Sequence, residues 1–279
     1  MVPAKSTALK NKLWLIVLVL LVLGAGVYVA RRSGTDYRVY SNDFNVYYFA
    51  AREILSGREP YTNSLGDWIP YLYPPLLAEA LVPLAMLPLP VAAYLWFLAG
   101  AGSIAGAVAM CAKLAYPGSV EELNYRELPS PGRPDGMLLL AILSVAVVFR
   151  FALDTLGMGQ ANAIVLVLSV AHVFLFSRGK RAASVVALAV ASTLKLSPAL
   201  LILYHLSRGR VRFAAACAAL IGAITLASFA ALGPGARGSI RVFYDRTIRN
   251  GQGFNLADSG NQSLLRLPGA FGDLGPAQA

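Results

Sequence analysis

An uncharged apolar run near the N-terminus, Leu13–Ala30, most constrains what this chain can fold into. As a helix rising about 1.5 Å per residue, it would cross most of a hydrocarbon core that is roughly 30 Å thick. The rest of the chain has the same character, since 57% of its 279 residues are hydrophobic and only 14% are charged. The mean hydropathy is +0.60. This composition is too apolar for an ordinary soluble domain, so we predict a membrane protein.

Basic residues predict the orientation of this run. Lys5, Lys10 and Lys12 precede it, which places the N-terminus in the cytoplasm by the positive-inside rule. A signal peptide also starts with basic residues, but "YVARRSG" (28–34) is a poor cleavage site, so we predict a retained anchor. The formal net charge of +10 does not indicate a nucleic-acid partner, because the Lys and Arg residues cluster beside apolar segments.

Two short basic links lie among the later apolar segments, which are Pro74–Leu87, Val91–Ala112, Met137–Leu153, Ala161–Phe176, Ala182–Leu206 and Phe213–Leu232. We predict that "SRGKR" (177–181) and "SRGRVR" (207–212) are both cytoplasmic, so an even number of crossings must separate them. Only one apolar segment lies between them, and "TLKLSP" (193–198) interrupts it with a lysine and a helix-breaking proline. We therefore predict a broken hairpin of two half-length helices, with Lys195 near its turn.

The same topology gathers the polar residues on the opposite, outer side. Met137–Leu153 and Ala161–Phe176 become an antiparallel pair whose link, 154–162, faces outward, and the loop 113–136 becomes cytoplasmic. Pro74–Leu87 is too short for a full crossing. In the segment that follows it, "GSIAG" (102–106) has the small-residue spacing that lets helices pack closely. The polar residues expected on the outer side are Asp43, Tyr71, Tyr73, Asp154, Gln160, Asn162, Lys195 and the stretch 258–263.

The stretch "SNDFNVYYFAAREILSGREPY" (41–61) interrupts the apolar sequence with polar and aromatic residues. Its apolar side chains recur at helical spacing and form one stripe, which predicts an amphipathic helix lying on the membrane. The stripe consists of Phe44, Tyr47 or Tyr48, Ala51 and Leu55, and it leaves out Arg52 and Glu53. Gly57 fits the C-terminal cap of this helix, and Pro60 prevents its continuation. Asp43 fits the N-cap, where free N–H groups and the helix dipole would lower the pKa of its carboxyl and keep it ionised. A fixed carboxylate at the membrane edge could also accept a proton from a substrate hydroxyl, so capping and catalysis are compatible roles.

Five stretches together resemble glycosyltransferase family 87 by their order and spacing. They are 41–61, "YLYPPLLAEALVPLAMLPLPVAAYLWF" (71–97), "GQANAIVLVL" (159–168), "TLKLSPALLILY" (193–204) and "GNQSLLRL" (260–267). These enzymes belong to the GT-C superfamily, which includes polyprenol-phosphate-mannose-dependent mannosyltransferases. The resemblance implies an all-α, polytopic membrane bundle forming a single domain over 1–279. Its first outer loop would span 31–73, with a juxtamembrane helix, and its outer C-terminal segment would span 233–279.

The resemblance also implies an activity. A hexose such as mannose would pass, with inversion, from a polyprenyl-phosphate donor to a lipid or glycan acceptor hydroxyl on the outer face. Asp43 matches the family's first-loop aspartate, the implied general base. The departing phosphate needs positive charge, for which Lys195 is one candidate and Arg150 another. The implied location is a bacterial inner membrane, with the site facing the periplasm or exterior.

The candidate contacts to the sugar or acceptor are Tyr71, Tyr73, Gln160, Asn162, Asn261 and Gln262. Each has an alternative interpretation, because tyrosines form interfacial belts and amides near helix starts satisfy backbone groups. Lys195 could instead snorkel outward or neutralise Asp154. We expect no metal or other cofactor, since no diphosphate is displaced and no acidic pair is evident. His172, His205 and both cysteines are interpreted as structural.

The C-terminus departs from the family pattern. Family members usually continue with several more spans, whereas twelve residues follow Leu267 here, which suggests a truncated chain. Two other functions stay open at this point. A lipid or solute carrier would share the broken helix and the lysine, although no second half repeats the first. A non-catalytic membrane scaffold would be insensitive to substitution of Asp43 or Lys195.

Overall fold

The computed structural model of the protein describes residues 4–35, 43–62, 71–115 and 149–245, and these ranges contain helices and no strand. The helices are α1 (Ala4–Thr35), α2 (Asp43–Leu55), α3 (Pro75–Ala85), α4 (Leu89–Ala115), α5 (149–157), α6 (Asn162–Ser177), α7 (Arg181–Leu194), α8 (Leu200–Ser207), α9 (Val211–Ala231) and α10 (Ala236–Phe243). Short 3-10 turns occupy Pro60–Thr62, Ser197–Ala199 and Gly233–Gly235. The all-α prediction is confirmed for the described residues.

Two of the described helices are long and apolar enough to cross a membrane. They are the segment Leu89–Cys111 of α4, and α9. The N-terminal run predicted to span lies within the single helix α1, and several of its large apolar side chains are exposed, including Ile16, Leu20 and Leu21. An apolar helical surface of this kind suits contact with lipid. Helix α3 has 11 residues and is about 16 Å long, which confirms that it is too short for a full crossing.

Small residues let α4 approach its neighbours closely. A Cβ on Gly26 of α1 would lie 2.9 Å from aromatic carbons of α4, and a Cβ on Gly100 would lie 2.9 Å from the Leu156 side chain. Within the predicted "GSIAG" motif, Gly106 meets α6, whereas Gly102 has no described atom within 4 Å of where its Cβ would lie. The close packing therefore centres on Gly100, just before the motif.

Helix α2 lies inside the protein, against α3 and α4. Its N-terminal half is buried on nearly every side, as shown by Phe44, Asn45, Val46 and Tyr47. This position differs from the expected one on the membrane surface. The sequence pattern identified one apolar stripe, but the surrounding helices also cover the faces beside it. Glu53, predicted to lie off the stripe, is buried and forms an ion pair with the Arg58 guanidinium.

The predicted end of α2 is confirmed. Gly57 has a φ of 72°, its N–H donates to Ile54 O, and the next N–H, of Arg58, donates to Glu53 O. These two bonds define a Schellman cap, which requires the left-handed conformation that glycine adopts without strain. Pro60 then begins a separate 3-10 turn.

The broken hairpin is also present. Helix α7 ends at Leu194, and Lys195 has an extended backbone with φ −151° and ψ 132°. A 3-10 turn containing Pro198 follows, and α8 continues from Leu200 to Ser207. The lysine and the proline therefore interrupt the segment where the sequence predicts.

The two basic links meet at one end of the bundle. Arg181 from the first link and Arg210 from the second line the same cavity. Nearby, His172 of α6 and His205 of α8 approach each other with 3.1 Å between their Nε2 atoms. The two links therefore lie at the same end of the described bundle, whereas their cytoplasmic location stays a prediction.

Other segments differ from the expectations or lie outside the described residues. Helix α5 continues to residue 157, so Asp154 belongs to the helix and not to the following link. Helix α10 was not predicted; its Phe243 packs against Tyr61 and Phe229, with ring centroids 6.1 and 5.6 Å away. Residues 116–148, which include most of the predicted loop 113–136, and residues 246–279 lie outside the described ranges.

Candidate functional site

The turn between α5 and α6 forms the base of the candidate site. Gly159 has a φ of 64°, its N–H donates to Leu156 O, and the N–H of Gln160 donates to Thr155 O. This is a second Schellman cap, with glycine at the left-handed position. The sequence "GMGQAN" is therefore a helix stop that changes the chain direction before α6 begins at Asn162.

Backbone contacts dock the start of α2 onto this turn. The N–H of Asp43 donates a 2.9 Å hydrogen bond to Met158 O, and Trp96 Nε1 donates a 2.8 Å bond to Gly159 O. A Cβ on Gly159 would lie 2.6 Å from the Cβ of Phe44, so only glycine allows this approach. The position of Asp43 is thus fixed by a residue more than a hundred positions later in the chain.

Asp43 is the first residue of α2, so it lies inside the first turn and does not precede it as an N-cap would. Its carboxyl is half-buried, and this burial raises its pKa above the ordinary value of 3.8. The nearby charge of Lys195 and a hydrogen bond with the Gln160 side chain oppose that rise. The prediction of a lowered pKa is wrong, because desolvation outweighs the stabilising contacts.

A chain of polar side chains leads from Asp43 to Lys195. After Gln160, which is hydrogen-bonded to Asp43, the next member is Asn162, whose Nδ2 donates to Gln160 Oε1. Lys195 Nζ then donates a 2.7 Å bond to Asn162 Oδ1. We call Asp43, Gln160, Asn162 and Lys195 the polar chain. The structure brings together four of the sequence-predicted site residues from three separate segments.

Two tyrosines lie beside the polar chain. Tyr47 OH donates a 3.2 Å hydrogen bond to Tyr73 OH, and the two rings meet edge to face with centroids 5.3 Å apart. The negative charge of Asp43 contributes to a raised pKa at both phenols, behind the larger effect of burial. Tyr73 was predicted from the sequence as a site residue, whereas Tyr47 was assigned only to the apolar stripe of α2. Its spacing from Asp43, about one helical turn, could have indicated its place.

Tyr71 has a structural position. It is fully buried, its hydroxyl donates a 2.8 Å bond to Pro74 O, and the same oxygen accepts a 3.1 Å bond from the Ala78 N–H. The hydroxyl thus bridges the first turn of α3. Because no part of Tyr71 is accessible, the predictions of a sugar contact or a membrane-belt position do not fit this placement, and we leave it out of the site.

The other predicted residues do not join the polar chain. Arg150 is exposed and lies 3.7 Å from the Asp154 carboxylate, which also shows that Arg150, and not Lys195, pairs with that acid. Asn261 and Gln262 lie outside the described residues. In the part of the chain that the structure describes, no group of three or more His, Cys, Asp or Glu residues could hold a metal ion.

The arrangement combines two opposite chemical abilities in one place. Asp43 offers a half-buried carboxyl whose raised pKa makes its carboxylate a stronger base. Lys195 offers an exposed ammonium held by an amide. A base and a cation joined by amide side chains are suited to taking a proton from one reacting group while stabilising negative charge that develops on another.

Comparison with known proteins identifies the family. The model of glycosyltransferase family 87 matches residues 71–278, which is most of the chain. The match includes Tyr73, Gln160, Asn162 and Lys195 but begins after Asp43, so the resemblance of 41–61 lies outside it. No curated protein and no solved structure matches the chain. The described residues contain helices and no strand, and two of these helices are long and apolar. This architecture agrees with the family match, and the chain belongs to glycosyltransferase family 87.

Proposed function

We propose that this protein transfers a hexose from a polyprenyl-phosphate donor to a hydroxyl of a lipid or glycan acceptor on the outer face of the membrane. Family membership supports a membrane glycosyltransferase. The single observation that carries the finer proposal is the polar chain, which links Asp43 to Lys195 through Gln160 and Asn162.

Asp43 is the proposed general base. In a single displacement, the acceptor oxygen attacks the anomeric carbon and its proton passes to the Asp43 carboxylate. The bond between the anomeric carbon and the donor phosphate oxygen breaks, and its electron pair stays on the phosphate. Gln160 orients the carboxylate by its hydrogen bond. Burial supports this role because it raises the pKa of the carboxyl and so increases its affinity for the transferred proton.

Lys195 is the proposed partner of the leaving phosphate. It lies where the hairpin backbone is broken and its side chain is exposed, so its ammonium can contact a ligand while Asn162 holds it from one side. A fixed cation near the departing oxygen stabilises charge that develops in the transition state. Mannose is the sugar we propose. We propose that Tyr73, Gln160 and Asn162, which lie in or beside the polar chain, contact it.

The polar chain and the basic links lie at opposite ends of α6, which has 16 residues and therefore separates them by about 24 Å. If the basic links face the cytoplasm, the polar chain faces the other compartment. This separation supports the outer face as the location of transfer. Arg150 stays a second candidate for the phosphate; its helix could present it to a lipid-linked donor, but no described contact joins it to the polar chain.

The test is transfer by purified protein in lipid nanodiscs that contain a polyprenyl-phosphate mannose donor with labelled sugar and a membrane lipid extract as acceptor. We expect a labelled glycolipid. Asp43→Asn should lower kcat/KM by roughly 10²- to 10⁴-fold, the usual contribution of a general base.

Asp154→Asn is the matched control, because it removes the same charge from the adjoining helix at an exposed carboxylate outside the polar chain. It should transfer like the wild type. Full activity of a folded Asp43→Asn variant would contradict the base assignment. Movement of the labelled donor across the bilayer without product would favour a carrier instead.

A further inference from the structure

A cavity lined by arginines and apolar side chains lies at the opposite end of the bundle from the polar chain. It has a volume of about 400 Å³ and is lined by Phe176, Arg181, Gly209, Arg210, Val211, Arg212 and Phe213. These residues come from the end of α6, the start of α7, the link after α8 and the start of α9. The cavity therefore lies at the base of the broken hairpin whose tip carries Lys195.

The basic links alone do not require such a cavity. The positive-inside rule explains why cations accumulate beside apolar helices, but it is satisfied by arginines that point anywhere into water. Arg178 and Arg208 show this alternative, since neither lines the cavity and each lies over an aromatic ring of the preceding helix, 5.1 Å from Phe174 and 5.6 Å from Tyr204. Arg181, Arg210 and Arg212 instead line one concavity.

Arg210 is held in place by its neighbours. Its guanidinium lies 4.6 Å from the centroid of the Phe176 ring, and its Nη1 donates to His205 Nδ1 at 3.5 Å. Because arginine can only donate, His205 carries its proton on Nε2 and donates it to His172 Nε2, 3.1 Å away. His172 Nδ1 in turn donates a 2.8 Å bond to Ser184 Oγ. Arg210 is thus anchored through buried side chains on three helices.

The three arginines have no acidic partner among the described residues. The ion pairs found there join Arg58 to Glu53, Arg150 to Asp154 and Arg241 to Asp245. All of these lie in other segments of the chain. Three arginines that line one concave space, with no carboxylate paired to them in the described ranges, favour binding of an anion.

The lining also indicates what kind of anion fits. Guanidinium groups match the geometry of phosphate oxygens, and basic pockets between transmembrane helices bind phospholipid headgroups. Phe176, Val211 and Phe213 line the same cavity, so an apolar portion next to the phosphate would also be accommodated. We propose that this cavity binds the phosphate of an anionic membrane phospholipid at the face where the two basic links meet.

The experiment compares lipid retention by the full chain in detergent and nanodiscs, using native mass spectrometry. The probes are phosphatidylglycerol and, as the neutral control lipid, phosphatidylcholine. The wild type should retain phosphatidylglycerol preferentially. The double variant Arg210→Gln, Arg212→Gln should retain it roughly tenfold less or weaker still, since each arginine near a lipid phosphate contributes substantially to binding.

The matched control is Arg178→Gln, Arg208→Gln, which removes the same amount of charge, one arginine from each basic link, but leaves the cavity lining intact. It should retain phosphatidylglycerol like the wild type. Equal losses in the two double variants would overturn the proposal, because they would show a general effect of surface charge. Retention of both lipids alike by the wild type would also overturn it.

A third measurement distinguishes a lipid phosphate from a soluble phosphate. Inorganic phosphate is added to protein in phosphatidylcholine nanodiscs, and the apparent Tm is measured. A rise that is lost in Arg210→Gln, Arg212→Gln and kept in the control variant, without a lipid preference, would overturn the lipid assignment and identify soluble phosphate as the ligand instead. No rise, together with no lipid preference, would refute a phosphate site of either kind.

Discussion

Lys195 Nζ donates a 2.7 Å hydrogen bond to Asn162 Oδ1, although 33 residues separate the two along the chain. Asn162 begins α6 and Lys195 follows the end of α7. These two helix ends are adjacent because the helices are antiparallel, and the bond joins them. If Lys195 binds the leaving phosphate, Asn162 acts as its positioning residue, because it holds the ammonium without itself carrying charge.

Asn162→Ala should weaken this positioning. We expect kcat/KM to fall roughly 10- to 100-fold, since a small displacement of a catalytic group has effects of this size. The apparent Tm should change little, because Asn162 is only half-buried. Steady-state kinetics with a folding check by circular dichroism would test this. A variant that loses its fold together with its activity would contradict a positioning role.

The pH dependence of transfer should follow the carboxyl of Asp43. The base must be ionised, so activity should rise with pH through a pKa that lies above 3.8. Lys195 lowers this pKa, so in Lys195→Gln the acidic limb should move to higher pH, whereas Lys195→Arg should keep its position. Profiles of kcat/KM against pH would measure the shift. Superimposable profiles for all three proteins would disprove the coupling.

The free energy of unfolding should also depend on the Asp43 carboxyl, but it should fall as the pH rises, whereas activity should increase. Because the folded-state pKa is raised above the unfolded one, the folded protein binds the proton more tightly, and stability is lost as pH rises between the two values. Lys195→Gln should deepen this loss, since it removes a cause that lowers the pKa. Apparent Tm measured across acidic pH, with Lys195→Arg for comparison, would test the sign.

Gly159→Ala should be strongly destabilising. The residue has a positive φ, and the new Cβ would lie 2.6 Å from Phe44 Cβ, so we expect a cost of about 2 kcal/mol or more and loss of transfer. Gly179→Ala is the control: its φ is 73° but no described atom lies within 4 Å of the new Cβ, so only the backbone cost of about 1 kcal/mol applies. Thermal unfolding in detergent compares them, and equal effects would contradict the docking of α2 at Gly159.

Tyr71 and Tyr73 should behave differently when each loses its hydroxyl. Tyr71→Phe leaves Pro74 O and the Ala78 N–H without the bridging group and should cost about 1–3 kcal/mol of stability while folded protein keeps its activity. Tyr73→Phe removes the hydrogen bond to Tyr47 beside Asp43 and should lower kcat/KM. Transfer rates normalised to the amount of folded protein would test this difference. A lower rate for Tyr71→Phe and an unchanged rate for Tyr73→Phe would show that Tyr71 belongs to the site.

The proposed orientation can be tested by cysteine labelling. Ser177 and Ser207 are exposed on the two basic links, and Ser56 is exposed after α2. In a background without Cys111 and Cys217, Ser177→Cys and Ser207→Cys should react with a membrane-impermeant maleimide from the same side. Ser56→Cys should react from the opposite side. Labelling of positions 177 and 207 from different compartments would refute the broken hairpin in the membrane.

The sequence by itself determined most of the helical segments and where several of them stop, although it missed α10 and the end of α5. Apolar runs, the Pro and Gly breakers and the clustered arginines act over a few residues, so α4, α6 and α9, the short α3, and the break at Lys195 were all predictable. The likeness of five stretches to glycosyltransferase family 87 was also readable, and the family match confirms it over 71–278.

Tertiary structure alone decided the surroundings of these residues. The sequence predicted a lowered pKa for Asp43 because capping is local, whereas the burial that raises it comes from distant helices packed around α2. The bridging role of Tyr71 and the anchoring of Arg210 through His205 and His172 depend likewise on contacts between elements far apart in the chain. Desolvation and hydrogen-bond partners are properties of packed neighbours, so periodicity and spacing along one chain do not specify them.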